Sequence, residues 1–181
     1  MSYYDDIYEY AADNYGLITS AIANELGIPR LELVKLERRG RLQRIGQGVY
    51  RVKHYIPTGL DKYAEAVAIV GKGAYIYGES VLAMCGLALV NPAIITVATT
   101  ARVRKKLATG IKIVARKDGD QIKHFEGIPA QSMFEAVLAC KGIVMSERLE
   151  EAVNEAYRLG YIDKEEAIFA RKELKHGSQD T

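Results

Sequence analysis

The most concentrated chemistry in this chain is cationic. Between Ile28 and Tyr55 stand Arg30, Lys35, Arg38, Arg39, Arg41, Arg44, Arg51 and Lys53, against only Glu32 and Glu37. Residues 1 to 27 hold no Lys or Arg, and carry Asp5, Asp6, Glu9, Asp13 and Glu25. The 181-residue chain has a net charge of only +2, so its positive charge is gathered rather than spread. Guanidinium and ammonium groups collected on one short stretch neutralise phosphates, and a nucleic acid presents phosphates in series.

Such cations need elements that hold them on one face. Thr19 can cap a short helix whose apolar positions are Ile22, Ala23 and Leu26, and Gly27 ends it. Pro29 opens the first turn of a second helix, where its missing N–H costs nothing. That helix runs to Arg39 and stops at Gly40, which accepts positive φ. Leu33 and Leu36, with Val34 expected beside them, are read as one side of it, and Leu31, Lys35, Arg38 and Arg39 as the other. The period then changes. Arg41 to Ile45 alternates, Gly46-Gln47-Gly48 turns, and Val49 to Lys53 alternates again, which predicts a β-hairpin. A helix-turn-helix followed by a basic hairpin is the layout of a winged helix that reads double-stranded DNA. An ordinary amphipathic helix with a solvated basic face would explain the second helix alone, but not its capped neighbour and the basic wing.

The run G-I-P-R-L-E-L-V-K-L-E-R-R-G-R-L-Q-R-I-G-Q-G-V-Y-R resembles the N-terminal domain of the AbiEi family of antitoxins. The shared features are the apolar-spaced recognition helix, the exit Arg38-Arg39-Gly40-Arg41-Leu42 and the strand Gly48-Val49-Tyr50-Arg51. The similarity continues more loosely in Ala74 to Leu87, Ile94 to Thr99 and Gly127-Ile128-Pro129, the last as a step before a helix. The resemblance implies a type IV toxin-antitoxin system. In it, the protein represses its own operon by binding repeated operator sequences, and a nucleotidyltransferase-like toxin is encoded beside it. It also implies phage resistance as the setting. Within the chain, Leu31, Lys35, Arg38 and Arg39 would face the major groove, Arg41, Arg44, Gln47 and Arg51 would sit on or beside the wing, and Arg30 would also belong to the DNA-binding surface. Ile22, Leu26, Leu33, Leu36, Leu42, Val49 and Tyr50 would be core. The alternative is a plain winged-helix transcriptional regulator with a C-terminal sensing or oligomerisation domain.

The expected fold class is α+β: a winged helix-turn-helix domain over residues 1–57, then a small α+β domain over residues 61–176 with helices packed on a short sheet. A first helix is expected over Asp5 to Tyr15, with Ile7, Tyr8, Ala11, Ala12 and Tyr15 as its stripe, and its tyrosines packed on the winged helix or serving a dimer contact. Ile56-Pro57-Thr58-Gly59 is the expected linker. Beyond it come helices at Asp61 to Val70, Ser80 to Cys85, Ser132 to Lys141, Ser146 to Leu159 and Lys164 to Lys175. Strands are expected at Ala74 to Tyr77, Ile94 to Thr99, Gly110 to Lys117 and Gln121 to Phe125. A second basic run, Arg102, Arg104, Lys105, Lys106, Lys112, Arg116 and Lys117, contains no acid. It is either a solvated loop and strand face or a second surface for nucleic acid or antitoxicity. From Glu147 onward acids outnumber bases, so that region is not expected to approach DNA.

Catalysis, metal and cofactor find no support. His54, His124 and His176 are scattered, without ligand spacing. Gly71-Lys72-Gly73 lacks the frame of a phosphate loop, and Ser80 lies in G-E-S-V-L rather than a nucleophile elbow. The Asp118-Gly119-Asp120 turn is expected to be a solvent-exposed reversal. Cys85 and Cys140 have no metal-like spacing and are expected to be reduced and partly buried. With 49% hydrophobic and 27% charged residues, and no apolar run near the ~18 residues of a membrane span, a cytoplasmic globular monomer or dimer is expected. No secretory leader is visible at the N-terminus.

Overall fold

The computed structural model describes residues 2–104, 107, 109–116 and 118–176. The chain forms two compact units, one of residues 1–72 with 103–108, the other of residues 73–102 and 109–181. The division falls after the helix at Asp61, whereas the sequence places a domain break before it.

The first unit contains α1 (Tyr3–Ala12), β1 (Leu17–Thr19), α2 (Ser20–Glu25), α3 (Arg30–Arg38), β2 (Leu42–Gly46), β3 (Val49–Val52) and α4 (Asp61–Val70). Ser2 starts α1 with a capping box: its hydroxyl accepts from the Asp5 N–H, and its own N–H donates to the Asp5 carboxylate at 2.9 Å. That cap also holds the Asp5 carboxyl below its ordinary pKa. The helix therefore begins two residues earlier than expected and ends at Ala12; Ile7 and Ala11 are buried, while Tyr8 and Ala12 are exposed. Tyr4 and Tyr10 pack partly against the core, as expected of the tyrosine cluster. Thr19 caps α2, its hydroxyl accepting from the Ile22 N–H at 3.2 Å. Pro29 is the capping residue of α3 and lies just outside it in extended conformation, one step earlier than the sequence suggests. Gly40, at φ +70°, closes the helix as expected.

The wing is a three-stranded sheet of order β1-β3-β2, antiparallel throughout. The hairpin was legible, but its third strand was not. β1 is three residues long and follows a tight reversal through Tyr15 (φ +56°) and Gly16 (φ +70°), too short for an alternating pattern. Ile7, Ile18, Ala23, Ile28, Leu33, Leu36, Leu42, Tyr50 and Val52 form the core. Leu26, expected in it, is 47% exposed, because the chain turns at Gly27 and Ile28 takes the interior place. The expected linker is pinned rather than loose. Asp61, almost wholly buried at the start of α4, accepts from the Thr58 N–H at 2.8 Å, the Thr58 hydroxyl at 3.0 Å and the Tyr55 hydroxyl at 3.2 Å.

The second unit contains β4 (Tyr75–Ile76), α5 (Glu79–Met84), β5 (Ile95–Thr99), β6 (Ile111–Ala115), β7 (Ile122–Phe125), β8 (Ile128–Gln131), α6 (Met133–Ala139), α7 (Ser146–Arg158) and α8 (Lys164–His176). Its sheet has the order β6-β5-β4-β8-β7. β5 pairs parallel with β6 and β4 parallel with β8; the other two pairings are antiparallel. The expected step at Gly127-Ile128-Pro129 does lead into a helix, α6, but Ile128 and Pro129 already form part of β8, a strand inside the sheet; Pro129 reads against a central strand because it lacks an N–H. Asp120 is not a free turn residue. The hydroxyl of fully buried Tyr75 donates to its carboxylate at 2.5 Å, and the Gly78 N–H donates to Gln131 Oε1 at 3.1 Å beside it. Burial, then the Asp120 carboxylate, push the Tyr75 hydroxyl well above its ordinary pKa.

Candidate nucleic-acid interface

α3 sits with Leu33 and Leu36 buried in the first unit. Its outer side follows from helix geometry. Taking Leu31 as zero, Leu33 and Leu36 lie about 200° and 140° round the helix, so the core is opposite Leu31. Arg38 and Lys35 lie within about 40° of Leu31 on the same stripe. All three are exposed, as are Arg30 and Arg39. Lys35 donates to Glu32 at 2.6 Å, a lateral contact that steadies its ammonium along the helix.

The wing carries Arg44 and Gln47, both exposed; Arg44 Nε donates to the Gly46 carbonyl at 3.2 Å, and a bulge between Arg44 and Gly46 bends the strand. Arg41, just past the helix, lays its guanidinium 4.7 Å from the centre of the Tyr4 ring. Its cation is still exposed, but α1 positions it, which the sequence did not suggest. Lys53 reaches the Gly40 turn, its Nζ lying 3.7 Å from where a Cβ at Gly40 would stand.

Arg51 requires a correction. Expected on the wing's DNA side, it is turned toward α4, forms an ion pair with Glu65 and lies 5.9 Å from the Tyr55 ring. Its Nε and Nη2 are buried without hydrogen-bond partners among the described residues. Its charge is committed inside the unit. Alternation along β3 explains this: Tyr50 and Val52 face the core, and Arg51 takes the opposite face, which α4 covers. The sequence could not show that face to be covered, because Glu65 lies beyond the expected linker.

The second basic run does not belong to one body. Arg104 falls in the first unit; Arg102, Lys112 and Arg116 fall in the second. All four are exposed. Lys112 lies on β6 at the edge of the sheet, where a charged side chain discourages strand addition. Arg116 lies 5.9 Å from the Tyr75 ring and donates to the Asp120 carbonyl at 3.4 Å. Lys105, Lys106 and Lys117 lie outside the described residues.

Burial pushes the Cys85 and Cys140 thiols up to about 12, so neither is a thiolate near neutral pH. Among the described residues no group of three or more His, Cys, Asp or Glu side chains is arranged to hold a metal, and no helix is long and apolar enough to cross a membrane.

A capped helix, a tight turn, a second helix with an outward basic stripe and a three-stranded antiparallel wing together define a winged helix-turn-helix domain. Residues 5–53, from α1 to the end of the hairpin, match the model of a family described as transcriptional regulator, AbiEi antitoxin. The matched stretch covers the winged-helix domain alone and contains the motif at Arg38 to Leu42 and the strand at Gly48 to Arg51. No curated protein matches the chain.

Proposed function

We propose that this chain is a DNA-binding antitoxin that represses its own operon and counteracts a nucleotidyltransferase-like toxin encoded beside it. The observation that carries the DNA-binding part is the outer stripe of α3, where Leu31, Lys35 and Arg38 stand opposite buried Leu33 and Leu36. In this reading α3 enters the major groove of an operator repeat. Arg30 and Arg39 flank it toward the phosphates, Arg41 and Lys53 bracket its exit, and Arg44 and Gln47 follow the backbone from the wing. The work is binding, with no chemical step. The toxin part rests on the family match of the winged-helix domain. Arg102, Lys112 and Arg116 of the second unit and, separately, Arg104 of the first are exposed cations proposed to contact nucleic acid or to serve antitoxicity.

The test is binding of the full chain to the DNA upstream of its own gene, against random duplex, at two salt concentrations. About five phosphate contacts give a loss of roughly several hundredfold in affinity between 50 mM and 200 mM salt. Absence of any preference for the upstream DNA would remove the repressor reading. Co-expression with the neighbouring toxin gene tests the other half: operator binding without rescue of growth would leave a plain transcriptional regulator.

A further inference from the structure

Leu31 is out of place for an ordinary surface. It is 62% exposed, it is the second residue of α3, and it lies at the centre of the outward face, diametrically opposite the core. On that face its neighbours include two cations, Lys35 one turn on and Arg38 two turns on, and half-buried Val34. A single exposed leucine is normal on a protein surface. What singles this one out is its position, because the N-terminal residues of a recognition helix are those that reach base edges. An isobutyl group there cannot take a phosphate and cannot hydrogen-bond a base. The apolar group that a base pair offers in the major groove is the C5-methyl of thymine.

We propose that Leu31 is a specificity-determining residue that reads the C5-methyl of a thymine in each operator repeat, beside cations of α3 that meet phosphates and guanine edges. This rests on the DNA-binding reading above and adds a base identity to it. The division of labour follows from the side chains. Lys35 is drawn along the helix by Glu32 at 2.6 Å, and Arg30, Arg38 and Arg39 are free to meet phosphates or guanine edges. Packing Leu31 against one methyl removes both from water, an effect of about threefold to fourfold in affinity for each such contact.

The experiment uses the full chain and the duplex upstream of its gene, made once with thymidine and once with deoxyuridine in its place. That exchange deletes C5-methyl groups and leaves base pairing intact. The unaltered protein should bind the deoxyuridine duplex about threefold to fourfold more weakly for each contact. Leu31→Ala, a change at an exposed position whose folding is checked by thermal melting, should bind the thymidine duplex as weakly as that and be indifferent to the exchange. Equal binding of both duplexes by the unaltered protein would overturn the proposal, as would an undiminished loss in Leu31→Ala. In either case a preference for upstream over random DNA would leave the repressor reading standing. If the unaltered protein shows no such preference, that reading falls and takes this inference with it.

Discussion

The two units of this chain place their charged side chains differently. In the first, the cations of α3 and the wing point outward, and only Arg51 is turned in, to Glu65. In the second, polar atoms are drawn inward: Tyr75, Asp120 and Gln131 join strands and turns far apart in sequence, and the Ser80 hydroxyl accepts from the Thr96 N–H at 2.9 Å. The first unit presents its outward cations to solvent, where a ligand can meet them. In the second, the Tyr75 hydroxyl and the Thr96 N–H find partners within the unit, since a buried polar group without a partner costs about 1–3 kcal/mol. An exposed cationic face and a hydrogen-bonded interior put the same kinds of side chain to different uses.

The largest effect should come from breaking the geometry of the first unit. A Cβ at Gly16 would stand 2.4 Å from Tyr55 Cγ, at a φ of +70°. Gly16→Ala should therefore destabilise the winged helix by about 3 kcal/mol or more, combining a left-handed backbone with overpacking. Denaturant melting together with DNA binding checks this; an unchanged midpoint would mean that the reversal into β1 is not the constraint described.

Next in size is the internal network of the second unit. Tyr75→Phe should cost about 2 kcal/mol, because it removes a hydrogen bond to a carboxylate and leaves Asp120 short of a donor. The pH dependence has a definite sign. The Tyr75 hydroxyl titrates above its ordinary 10.0 in the folded state, so its contribution is intact below pH 10 and is lost as pH rises beyond it, where the unfolded chain ionises first. Stability measured from pH 9 upward should fall less steeply in Tyr75→Phe than in the unaltered protein. Parallel curves would deny the network its role.

Smaller effects sharpen the account of the binding face. Lys35→Ala, on the outward stripe, should lower the preference for operator over random DNA by roughly tenfold, whereas Arg44→Ala should weaken both about equally and reduce the salt slope by about one. Matching effects from the two would mean that α3 is oriented otherwise. The smallest expected change in salt dependence belongs to Arg51→Met. Its cation is already engaged by Glu65, so the slope should be unaltered even where folding stability declines. A slope reduced by one would return Arg51 to the DNA.

Much of this was legible in the sequence where signals are local. Thr19, Gly27, Gly40 and the Gly46 to Gly48 turn mark the winged helix within a few residues of one another, and the 100° rule places Leu31, Lys35 and Arg38 outward. The failures share a cause: each depends on a partner distant in the chain or on an element too short to show a period. Leu26 appeared to continue an apolar face, yet Ile28 took its place. β1 offered three residues. Arg51 alternated correctly, but the helix covering its face lies beyond the Pro-Gly segment. Asp120 sat in a polar turn that Tyr75 reaches from the sheet. The outward placement of Leu31, Lys35 and Arg38 was legible because exposed side chains need no distant partner.

The lock between the wing and α4 has a practical meaning for anyone wishing to graft this reader onto another protein. Recognisable family sequence ends at residue 53, and Ile56-Pro57-Thr58-Gly59 invites a cut. Scissors placed there would strip Glu65 from a guanidinium with two unpartnered nitrogens, release Tyr55 and Thr58 from Asp61, and bare the β3 face that α4 shields. A transplant that keeps its shape carries α4 with it and is trimmed no earlier than Lys72. The portable piece is thus longer than the portion that sequence kinship reveals, and its border is drawn by a carboxylate meeting an arginine.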